Sequence, residues 1–368
     1  MVTRLAILGA TGSIGSQALD VVRSNRDRLR VTALASARSA SALEALASET
    51  GATATVLQER DGDDALCDLA TRADVDLVLV ATPGIAGLRP TLAALAAGKD
   101  VALANKEVLV AAGHLIRRLS GGAGDRLRPV DSEHNGLWQC LIGEDLAKVR
   151  RVALTASGGA FRDVPLEALP GVTPQHALRH PTWKMGPKVT IDSATLTNKG
   201  YEVVETHWLY GLPYDRIEVV LHPESVVHAM VELVDGSVVA SIAEPDMRLP
   251  IQYALLWDHD SSPAKRFEWT RQRALHFGDV ELERYPCFSH VLATARSGDG
   301  SAMVGLSAAD EVAVARFLAG EIRFTDIVGL LRRGTEVAAG AGMAPALEEI
   351  MRTDERVRRE LQPAEARA

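Results

Sequence analysis

Cysteine is scarce in this sequence, and long hydrophobic runs are absent. The three cysteines, Cys67, Cys140 and Cys287, are too far apart for a paired disulfide framework or a zinc site, so we predict reduced thiols. No run approaches the roughly 18 apolar residues that span a bilayer, and the apolar stretch near the N-terminus is too short for a signal peptide. The sequence therefore predicts a soluble, cytoplasmic protein without a membrane partner.

Positive charge is also in short supply. The 368 residues carry 40 Lys and Arg against 48 Asp and Glu, a net charge of −8, and they contain no basic tail or stripe that could hold a polyanion. Nucleic acid is therefore excluded as a partner. A phosphorylated small molecule would instead need a local positive site made from a few Lys or Arg side chains and helix N-termini.

The first 131 residues alternate short β-branched runs with helical segments rich in Ala and Leu. This pattern is typical of parallel βαβ units. Strands are predicted at Leu5–Leu8, Val31–Ala35, Thr53–Leu57, Asp76–Ala81, Val101–Ala104 and Leu127–Val130. We therefore predict an α/β protein whose N-terminal domain, residues 1–131, is a Rossmann-like, doubly wound parallel sheet with ligands at the carboxyl ends of its strands.

Beyond residue 131 the composition changes twice. Longer β-rich runs lie at Arg151–Ser157, Ile217–His222 and Asp235–Glu244. They predict a central α+β catalytic domain over residues 132–267, with Asp235-Gly236 as a hairpin signal between two of the runs. Residues 268–284 are expected to be a linker. Helical runs then lie at Ala308–Leu318 and Phe324–Ala339. They predict a C-terminal helical domain over residues 285–368.

A glycine-rich loop, Gly9–Gly15, follows the first predicted strand and opens a helix. Glycines at such a place allow a tight turn and bring backbone amides close to a pyrophosphate. The G-x-x-G-x-x-G spacing differs from the G-x-G-x-x-G fingerprint, so an ordinary structural turn is the alternative. The surrounding βαβ pattern favours a dinucleotide.

The second predicted strand ends without an acidic residue, in the run Ala35–Ser39. NAD enzymes usually place Asp or Glu there to bind the ribose 2′-hydroxyl, whereas a nearby Arg accommodates the 2′-phosphate of NADP. Arg38, which has two hydroxyl side chains near it, therefore favours NADP. The alternative is that Arg38 is a solvated surface residue.

Two carboxylates, Asp131 and Glu133, follow the sixth predicted strand, and in an extended chain both point to one side. Hard oxygen ligands at this spacing suit Mg²⁺ or Mn²⁺. An Asp-Ser pair before a helix is also typical of an N-cap, and these residues alone leave both interpretations open. Further along, Lys199 near a helix start could contribute to a phosphate site, and Glu202 could turn toward the metal.

Ten runs of the sequence stand out together: GATGSIG, LANKE, PVDSEHN, ASGGAFR, HPTWKMG, KVTIDSAT, NKG, EVVLHPESVVHAMV, EPDMRLPIQYA and RFTDI. In order and spacing they resemble the 1-deoxy-D-xylulose 5-phosphate reductoisomerase family, as far as about Val337. The resemblance implies an oxidoreductase and isomerase that uses NADPH and a divalent cation, Mg²⁺, Mn²⁺ or Co²⁺. The implied reaction converts 1-deoxy-D-xylulose 5-phosphate to 2-C-methyl-D-erythritol 4-phosphate, in isoprenoid precursor biosynthesis. A homodimer is implied as well.

The resemblance also implies roles for individual residues. The implied catalytic set is Lys106, Asp131, Glu133, His180 and Glu202, of which Asp131, Glu133 and Glu202 would ligate the metal. The implied substrate contacts are Ser132, Ser157, His180, Trp183, Met185, Ser193, Asn198 and Lys199. The implied NADP contacts are Thr11, Gly12, Ser13, Ile14, Ala37, Arg38, Ser39, Asn105, Glu107, Gly186 and Met247. Residues 180–187 would form a mobile lid that closes over the substrate, in which His180 could orient the substrate or act as a base.

Two other functions compete with this interpretation. A metal-free semialdehyde dehydrogenase would use Cys140 as its nucleophile, although the run around Cys140 is more typical of a buried thiol. A non-catalytic NADP-binding regulator would not need three carboxylates to converge. The run HPESVVHAM is interpreted as mainly structural, and Trp183 could staple a loop to the core instead of covering a substrate.

A few positions depart from the pattern that is usual in the family. Pro187 stands in the predicted lid where a basic residue is more common, and it is expected to stiffen that segment. Ser307 and Asp310 stand where two Asn are common, so no role is predicted for their helix.

Overall fold

A computed structural model describes residues 2–124, 126–183, 185–270, 274–340 and 342–362. Residue 184 of the predicted lid, residues 271–273 of the predicted linker and residues 363–368 lie outside the described residues. Within the described ranges, no helix has both the length and the apolar character needed to cross a membrane.

The N-terminal part of the chain forms a six-stranded parallel sheet. Its strands are β1 (Thr3–Leu8), β2 (Leu29–Ser36), β3 (Ala54–Leu57), β4 (Leu77–Val80), β5 (Asp100–Leu103) and β6 (Leu127–Pro129), in the spatial order β3-β2-β1-β4-β5-β6. All neighbouring pairs are parallel, so the predicted doubly wound sheet is confirmed. The centres of the strands are mostly apolar, as expected where helices cover both faces of a sheet, and Leu5, Ile7 and Leu79 are fully buried.

Helices alternate with these strands and leave a crevice at one edge of the sheet. They are α1 (Ser13–Ser24), α2 (Ala40–Thr50), α3 (Gln58–Thr71), α4 (Leu88–Ala96) and α5 (Glu107–Ser120). The strand order reverses between β1 and β4, which opens a crevice outside their carboxyl ends. Gly9 lies there with φ +90°, and a Cβ on it would come within 2.4 Å of the carbonyl oxygen of Ala81. Glycine is therefore required for this close approach.

A second sheet of four strands follows in the middle of the chain. Its strands are β7 (Val149–Ala156), β8 (Ile217–Leu221), β9 (Val227–Leu233) and β10 (Val238–Ile242), in the order β10-β9-β7-β8. The β7–β8 pair is parallel, and the β7–β9 and β9–β10 pairs are antiparallel. A hairpin turn at Asp235-Gly236 is confirmed, and the Ser237 N–H donates to the Asp235 carboxylate at 2.9 Å, but the turn joins β9 to β10 and not two of the predicted runs. Its first strand, β9, was missing from the predicted β-rich runs because it begins inside the turn-like run HPESVVHAM.

The remaining helices surround the second sheet and form the C-terminal part. Those of the central part are α6 (Ser132–Cys140), α7 (Pro174–Ala177), α8 (Pro187–Thr195), α9 (Thr197–Tyr210) and α10 (Arg248–Leu256). Those of the C-terminal part are α11 (Pro286–Ser297), α12 (Gly300–Leu318), α13 (Ile327–Ala338) and α14 (Leu347–Leu361). The predicted helical runs lie in α12 and α13, so the helical C-terminal part is confirmed. The domain boundaries at 131, 267 and 284 stay predictions.

Helix α5 of the N-terminal part contacts α9 and α12, so the three parts of the chain meet around it. Close packing inside the C-terminal part depends on glycine, because a Cβ on Gly305 of α12 would lie 2.4 Å from the carbonyl oxygen of Gly334 in α13. The helices α5, α6 and α8, which carry predicted site residues, each contact α9, and these contacts fix the four helices against one another.

Candidate active site

A cavity of about 440 Å³ lies between the carboxyl edge of the parallel sheet and the end of β7. It lies at the edge where a doubly wound sheet places its ligands. Nearly all predicted site residues line this cavity. The exceptions are the adenosine-side residues Thr11, Gly12, Ala37, Arg38 and Ser39.

Three carboxylates converge on one wall of the cavity. Asp131 is the N-cap of α6, where its Oδ1 accepts the Ser132 N–H at 3.1 Å, and Glu133 follows in the first turn. Glu202 comes from α9, and one oxygen atom of each carboxylate lies within 4.8 Å of the others. Asp131 therefore caps its helix and also joins a carboxylate cluster, so the N-cap interpretation is confirmed and the metal interpretation stays a prediction. A regulator without chemistry does not require this convergence.

Two lysines neutralise most of this negative charge. The Lys106 Nζ lies 2.6 Å from Asp131 Oδ2 and 3.0 Å from Glu202 Oε1, and the Lys199 Nζ lies 2.8 Å from Glu133 Oε1 and also contacts Glu202. Burial by itself would lower the pKa of Lys106, but the carboxylates of Asp131 and Glu202 raise it well above its usual value. Both lysines therefore stay charged at neutral pH.

The donor set fits a hard divalent cation. It consists of carboxylate oxygens only, and Asp131 Oδ2 is buried without a hydrogen bond of acceptable geometry. Burial, and then the neighbouring Glu202, raise the pKa of Glu133, which is the direction expected where carboxylates crowd together, and a divalent cation among them would counter that repulsion. Mg²⁺ and Mn²⁺ favour such oxygen ligands.

Two serines and a histidine form a second polar group beside the carboxylates. The Nε2 of His180 lies 3.1 Å from Ser157 Oγ and 3.0 Å from Ser193 Oγ. The Nδ1 of His180 accepts the N–H groups of Thr182 and Trp183, so the ring proton lies on Nε2. Burial lowers the pKa of His180 to about 4, and the ring is therefore neutral at pH 7. The three side chains, which come from β7, the predicted lid and α8, can thus donate hydrogen bonds together.

The predicted substrate residues Asn198 and Lys199 face the carboxylates instead of the two serines. The Asn198 amide donates to Glu202 Oε1 at 2.5 Å, and Lys199 binds Glu133 and Glu202. The Ser132 hydroxyl likewise donates to Glu133 at 2.5 Å. These residues therefore lie beside the carboxylate cluster, within the cavity that the serine–histidine group also lines.

The interpretation of HPESVVHAM as mainly structural is only half right. His222 is structural, because it is fully buried and its Nε2 accepts the N–H groups of Val226 and Val227. His228, however, lines the cavity, and its ring lies 6.1 Å from that of Trp183. The register that turns His228 toward the cavity depends on the pairing of β9 with β7, which the sequence did not reveal.

Several predicted cofactor residues are held by bonds within the protein. The Asn105 amide donates to the carbonyl oxygens of Thr82 and Gly84, at 2.5 and 2.7 Å. Arg38 forms an ion pair with Glu59 and is 81% exposed, so its interpretation as a surface residue stays open. Cys140, by contrast, does not line the cavity, and burial raises the pKa of its thiol to about 11. A protonated, buried thiol is a poor nucleophile, which removes support from the dehydrogenase alternative.

A second buried ionic cluster lies next to the cavity and was not predicted. We call it the Lys188 cluster: the Lys188 Nζ lies 2.6 Å from Asp192 Oδ2, 2.8 Å from Asp310 Oδ2 and 3.0 Å from Glu107 Oε1. It joins α8, α12 and α5. Glu107, which was predicted to contact the cofactor, is therefore also part of a contact among three helices.

Comparison with known proteins finds one family along most of the chain. Models of the family match three parts of the chain: "1-deoxy-D-xylulose 5-phosphate reductoisomerase" at residues 5–62 and 44–113, and two C-terminal domains of that enzyme at residues 127–210 and 242–360. The reductoisomerase of Thermomicrobium roseum is 47% identical over 95% of this chain and 94% of its own length. That of Synechocystis is 41% identical over 98% and 97%.

Solved structures give the same result. A DOX-P reductoisomerase in complex with NADPH, fosmidomycin and magnesium is similar with a TM-score of 0.91 and 35% identity, covering 98% of this chain and 97% of the other. The reductoisomerase from Zymomonas mobilis in complex with NADPH has a TM-score of 0.89 and 37% identity, with 98% of both chains covered. The similarity therefore extends over both sheets and the C-terminal helices.

Proposed function

This chain belongs to the 1-deoxy-D-xylulose 5-phosphate reductoisomerase family, and we propose how its cavity performs the reaction of that family. The reaction uses NADPH and a divalent cation to rearrange and reduce 1-deoxy-D-xylulose 5-phosphate to 2-C-methyl-D-erythritol 4-phosphate. The observation that carries the proposal is the convergence of Asp131, Glu133 and Glu202 within 4.8 Å, beside the serine–histidine group.

In this proposal Asp131, Glu133 and Glu202 hold the divalent cation. When bound, the cation supplies Lewis acidity that polarises the C2 carbonyl and C3 hydroxyl oxygens of the substrate. Lys106 keeps its proton and lies where it can donate hydrogen bonds to an oxygen that gains negative charge while the C3–C4 bond breaks and the carbon skeleton recombines. Lys106 is thus proposed as the residue that stabilises the reacting oxygens.

The substrate phosphate is proposed to bind at the serine–histidine group. Ser157, Ser193 and the neutral His180 offer donors at one point. Asn198 and Lys199 line the same cavity from α9, and their side chains would turn from the carboxylates toward the phosphate when the substrate binds. Phosphate binding at a distance from the reacting carbons can be used to orient them. Trp183, whose backbone is tied to His180, then excludes water from the cavity.

NADPH is proposed to bind along the carboxyl edge of the parallel sheet. The loop after β1 presents backbone amides to the pyrophosphate, Arg38 binds the 2′-phosphate, and Met247 packs against the nicotinamide. The cofactor supplies the hydride that reduces the rearranged aldehyde. Both Ser13 and Met247 line the cavity, so the pyrophosphate loop and the nicotinamide end of this path face the space where the substrate is proposed to lie.

The test is oxidation of NADPH by the full-length chain with 1-deoxy-D-xylulose 5-phosphate, after removal of metal and again with Mn²⁺. We expect turnover only with Mn²⁺, and 2-C-methyl-D-erythritol 4-phosphate as the product. Asp131→Asn should lose turnover nearly completely while its affinity for NADPH changes little, since Asp131 is far from the proposed adenosine side. Full turnover of the metal-free protein, or of Asp131→Asn, would contradict the proposal.

A cytoplasmic homodimer is proposed in addition. Strand β10 is an edge of its sheet, and its outward positions carry exposed apolar side chains, among them Val238 at 55% and Ile242 at 40% exposed. Such an edge favours pairing with a second copy. The three free thiols suit a reducing compartment. Light scattering should give a dimer for the native chain and more monomer for Val238→Lys; a monomeric native chain would contradict this part.

A further inference from the structure

An ion pair stands at the point where the adenosine end of a dinucleotide is expected. Arg38 follows β2, and Glu59 is the second residue of α3, which follows β3. The Glu59 N–H donates to the carbonyl oxygen of Ala37 at 3.2 Å, so the two loops are joined through their backbones. The side chains of Arg38 and Glu59 then form a salt bridge. Among the described residues, Glu59 is the carboxylate that lies within ion-pair distance of Arg38.

An acidic residue is unexpected beside a proposed binding site for a 2′-phosphate. In NAD enzymes an Asp or Glu at the end of the second strand accepts a hydrogen bond from the ribose 2′-hydroxyl. Here that strand end carries no acid, but Glu59 reaches the same loop from the next strand. A 2′-phosphate, with a charge of roughly −1.5 to −2, would approach an arginine that already has an anionic partner.

We propose that Glu59 is a specificity-determining residue that competes with the cofactor's 2′-phosphate for Arg38. The proposal rests on the assignment of Arg38 to the 2′-phosphate. To bind NADPH, the Arg38 guanidinium exchanges the Glu59 carboxylate for the phosphate, and the lost ion pair offsets part of the gain. NADH has no 2′-phosphate, so it leaves the pair intact. Glu59 therefore narrows the preference of the enzyme for NADPH over NADH.

The solvent exposure of the Arg38 and Glu59 side chains limits the expected effect on NADPH affinity. Arg38 is 81% and Glu59 56% exposed, so solvent screens their attraction. Replacing Glu59 by the isosteric, uncharged Gln frees Arg38 and removes the repulsion between the carboxylate and the phosphate. We expect Glu59→Gln to tighten NADPH binding about two- to fivefold, in line with the range measured for exposed ion pairs. Its affinity for NADH should stay within about twofold of the native value.

The experiment is a titration of the full-length chain with NADPH and with NADH, without metal or substrate, followed by cofactor fluorescence. It compares the native chain, Glu59→Gln, Arg38→Met and the double variant. Glu49→Gln is the matched control, because it removes a similarly exposed carboxylate that pairs with Arg23 at 2.7 Å elsewhere in the same sheet domain. The native chain, the two single variants at 38 and 59 and the double variant form a double-mutant cycle. This cycle isolates the part of the Glu59 effect on NADPH affinity that depends on Arg38.

The expected result is a tighter NADPH complex for Glu59→Gln only, and a clearly smaller effect when Arg38 is Met, where only the repulsion between carboxylate and phosphate remains. The proposal is overturned if Glu59→Gln changes NADPH and NADH equally, or if its effect is undiminished in the Arg38→Met background. If Arg38→Met itself weakens NADPH no more than NADH, the assignment of Arg38 to the 2′-phosphate is wrong, and the competition fails with it. None of these outcomes bears on the proposed metal and substrate sites.

Discussion

Two buried clusters in this molecule use the same residue types for different purposes. The first, which we call the cavity cluster, combines three carboxylates with two lysines: Asp131, Glu133, Glu202, Lys106 and Lys199. The second is the Lys188 cluster, with three carboxylates and one lysine. In the Lys188 cluster the single ammonium contacts all three carboxylates. In the cavity cluster no single ammonium does so, and each lysine contacts only two.

The two clusters differ in the position of their lysine ammonium groups and in whether a cation from solution can reach the carboxylates. The cavity-cluster carboxylates line the cavity and lie within 4.8 Å of one another, so a cation from solution can join them. In the Lys188 cluster Glu107 and Lys188 line the cavity but Asp192 and Asp310 do not, and the Lys188 ammonium already takes the central position. The comparison teaches that carboxylate count does not identify a metal site. Access and the location of the resident cations decide it.

The largest expected difference between the clusters is in turnover. Glu202→Gln keeps the size of the side chain but removes a proposed metal ligand, so we expect turnover to fall by about a thousandfold or more. Asp310→Asn changes the Lys188 cluster in the same conservative way, and its turnover should stay within about threefold of native. Both are measured as NADPH oxidation at saturating Mn²⁺. Similar losses in the two variants would remove the distinction between the clusters.

The next difference is in stability. Lys188→Met leaves Glu107, Asp192 and Asp310 without their ammonium, and removing one partner from a buried charge group costs about 3–5 kcal/mol. We expect a lower free energy of unfolding by that amount in urea, with partial recovery when Asp310→Asn is added. Lys148→Met, at an exposed lysine, is the control and should stay within about 0.5 kcal/mol of native. An unchanged free energy of unfolding in Lys188→Met would show that the cluster does not hold its three helices together.

A smaller difference is expected in the pH dependence of stability. Burial raises the pKa of Asp310, and burial and then Asp310 raise that of Asp192. A raised pKa means that the folded state keeps a proton which the unfolded state has lost, so this contribution to stability falls as pH rises above the ordinary Asp value. Asp310→Asn cannot lose a proton, and its free energy of unfolding relative to native should therefore rise from pH 5 to pH 8.

Asp131→Asn provides the contrast for this measurement. Although burial by itself would raise the pKa of Asp131, the Lys106 ammonium lowers it below its usual value, so Asp131 stays ionised from pH 5 to pH 8. Asp131 itself therefore adds no slope to the difference between native and Asp131→Asn in urea unfolding, and any slope in that variant comes from His134 and Glu205, whose pKa values Asp131 helps to raise. A flat profile for Asp310→Asn would show that the Lys188 cluster holds no extra proton.

Much of the fold could be predicted because it is encoded locally. The six parallel strands are short β-branched runs separated by helical segments, and the C-terminal helices have the matching composition. The strand β9 was missed because its first residues continue a turn-like run. The pairing that defines β9 is with β7, more than 70 residues away.

The candidate site was predictable only in part. Asp131 and Glu133 are two residues apart in the sequence, so a shared metal site could be predicted from the sequence itself. Glu202 was predicted as a third ligand only through the family resemblance. The Lys188 cluster escaped prediction because Glu107, Lys188 and Asp310 come from three helices that only the tertiary fold brings together. The same is true of the Arg38–Glu59 pair, which depends on the adjacency of β2 and β3.

The most direct test of the central claim is Mn²⁺ binding to the metal-free chain, measured by electron paramagnetic resonance without NADPH or substrate. The native chain and Asp310→Asn should each bind one Mn²⁺ with similar affinity. Asp131→Asn and Glu202→Gln should bind it at least about a hundredfold more weakly, since even partners that only orient a ligand are worth 10- to 100-fold. Unchanged binding in Asp131→Asn and Glu202→Gln, or loss of binding in Asp310→Asn, would contradict the assignment of the metal to the cavity cluster.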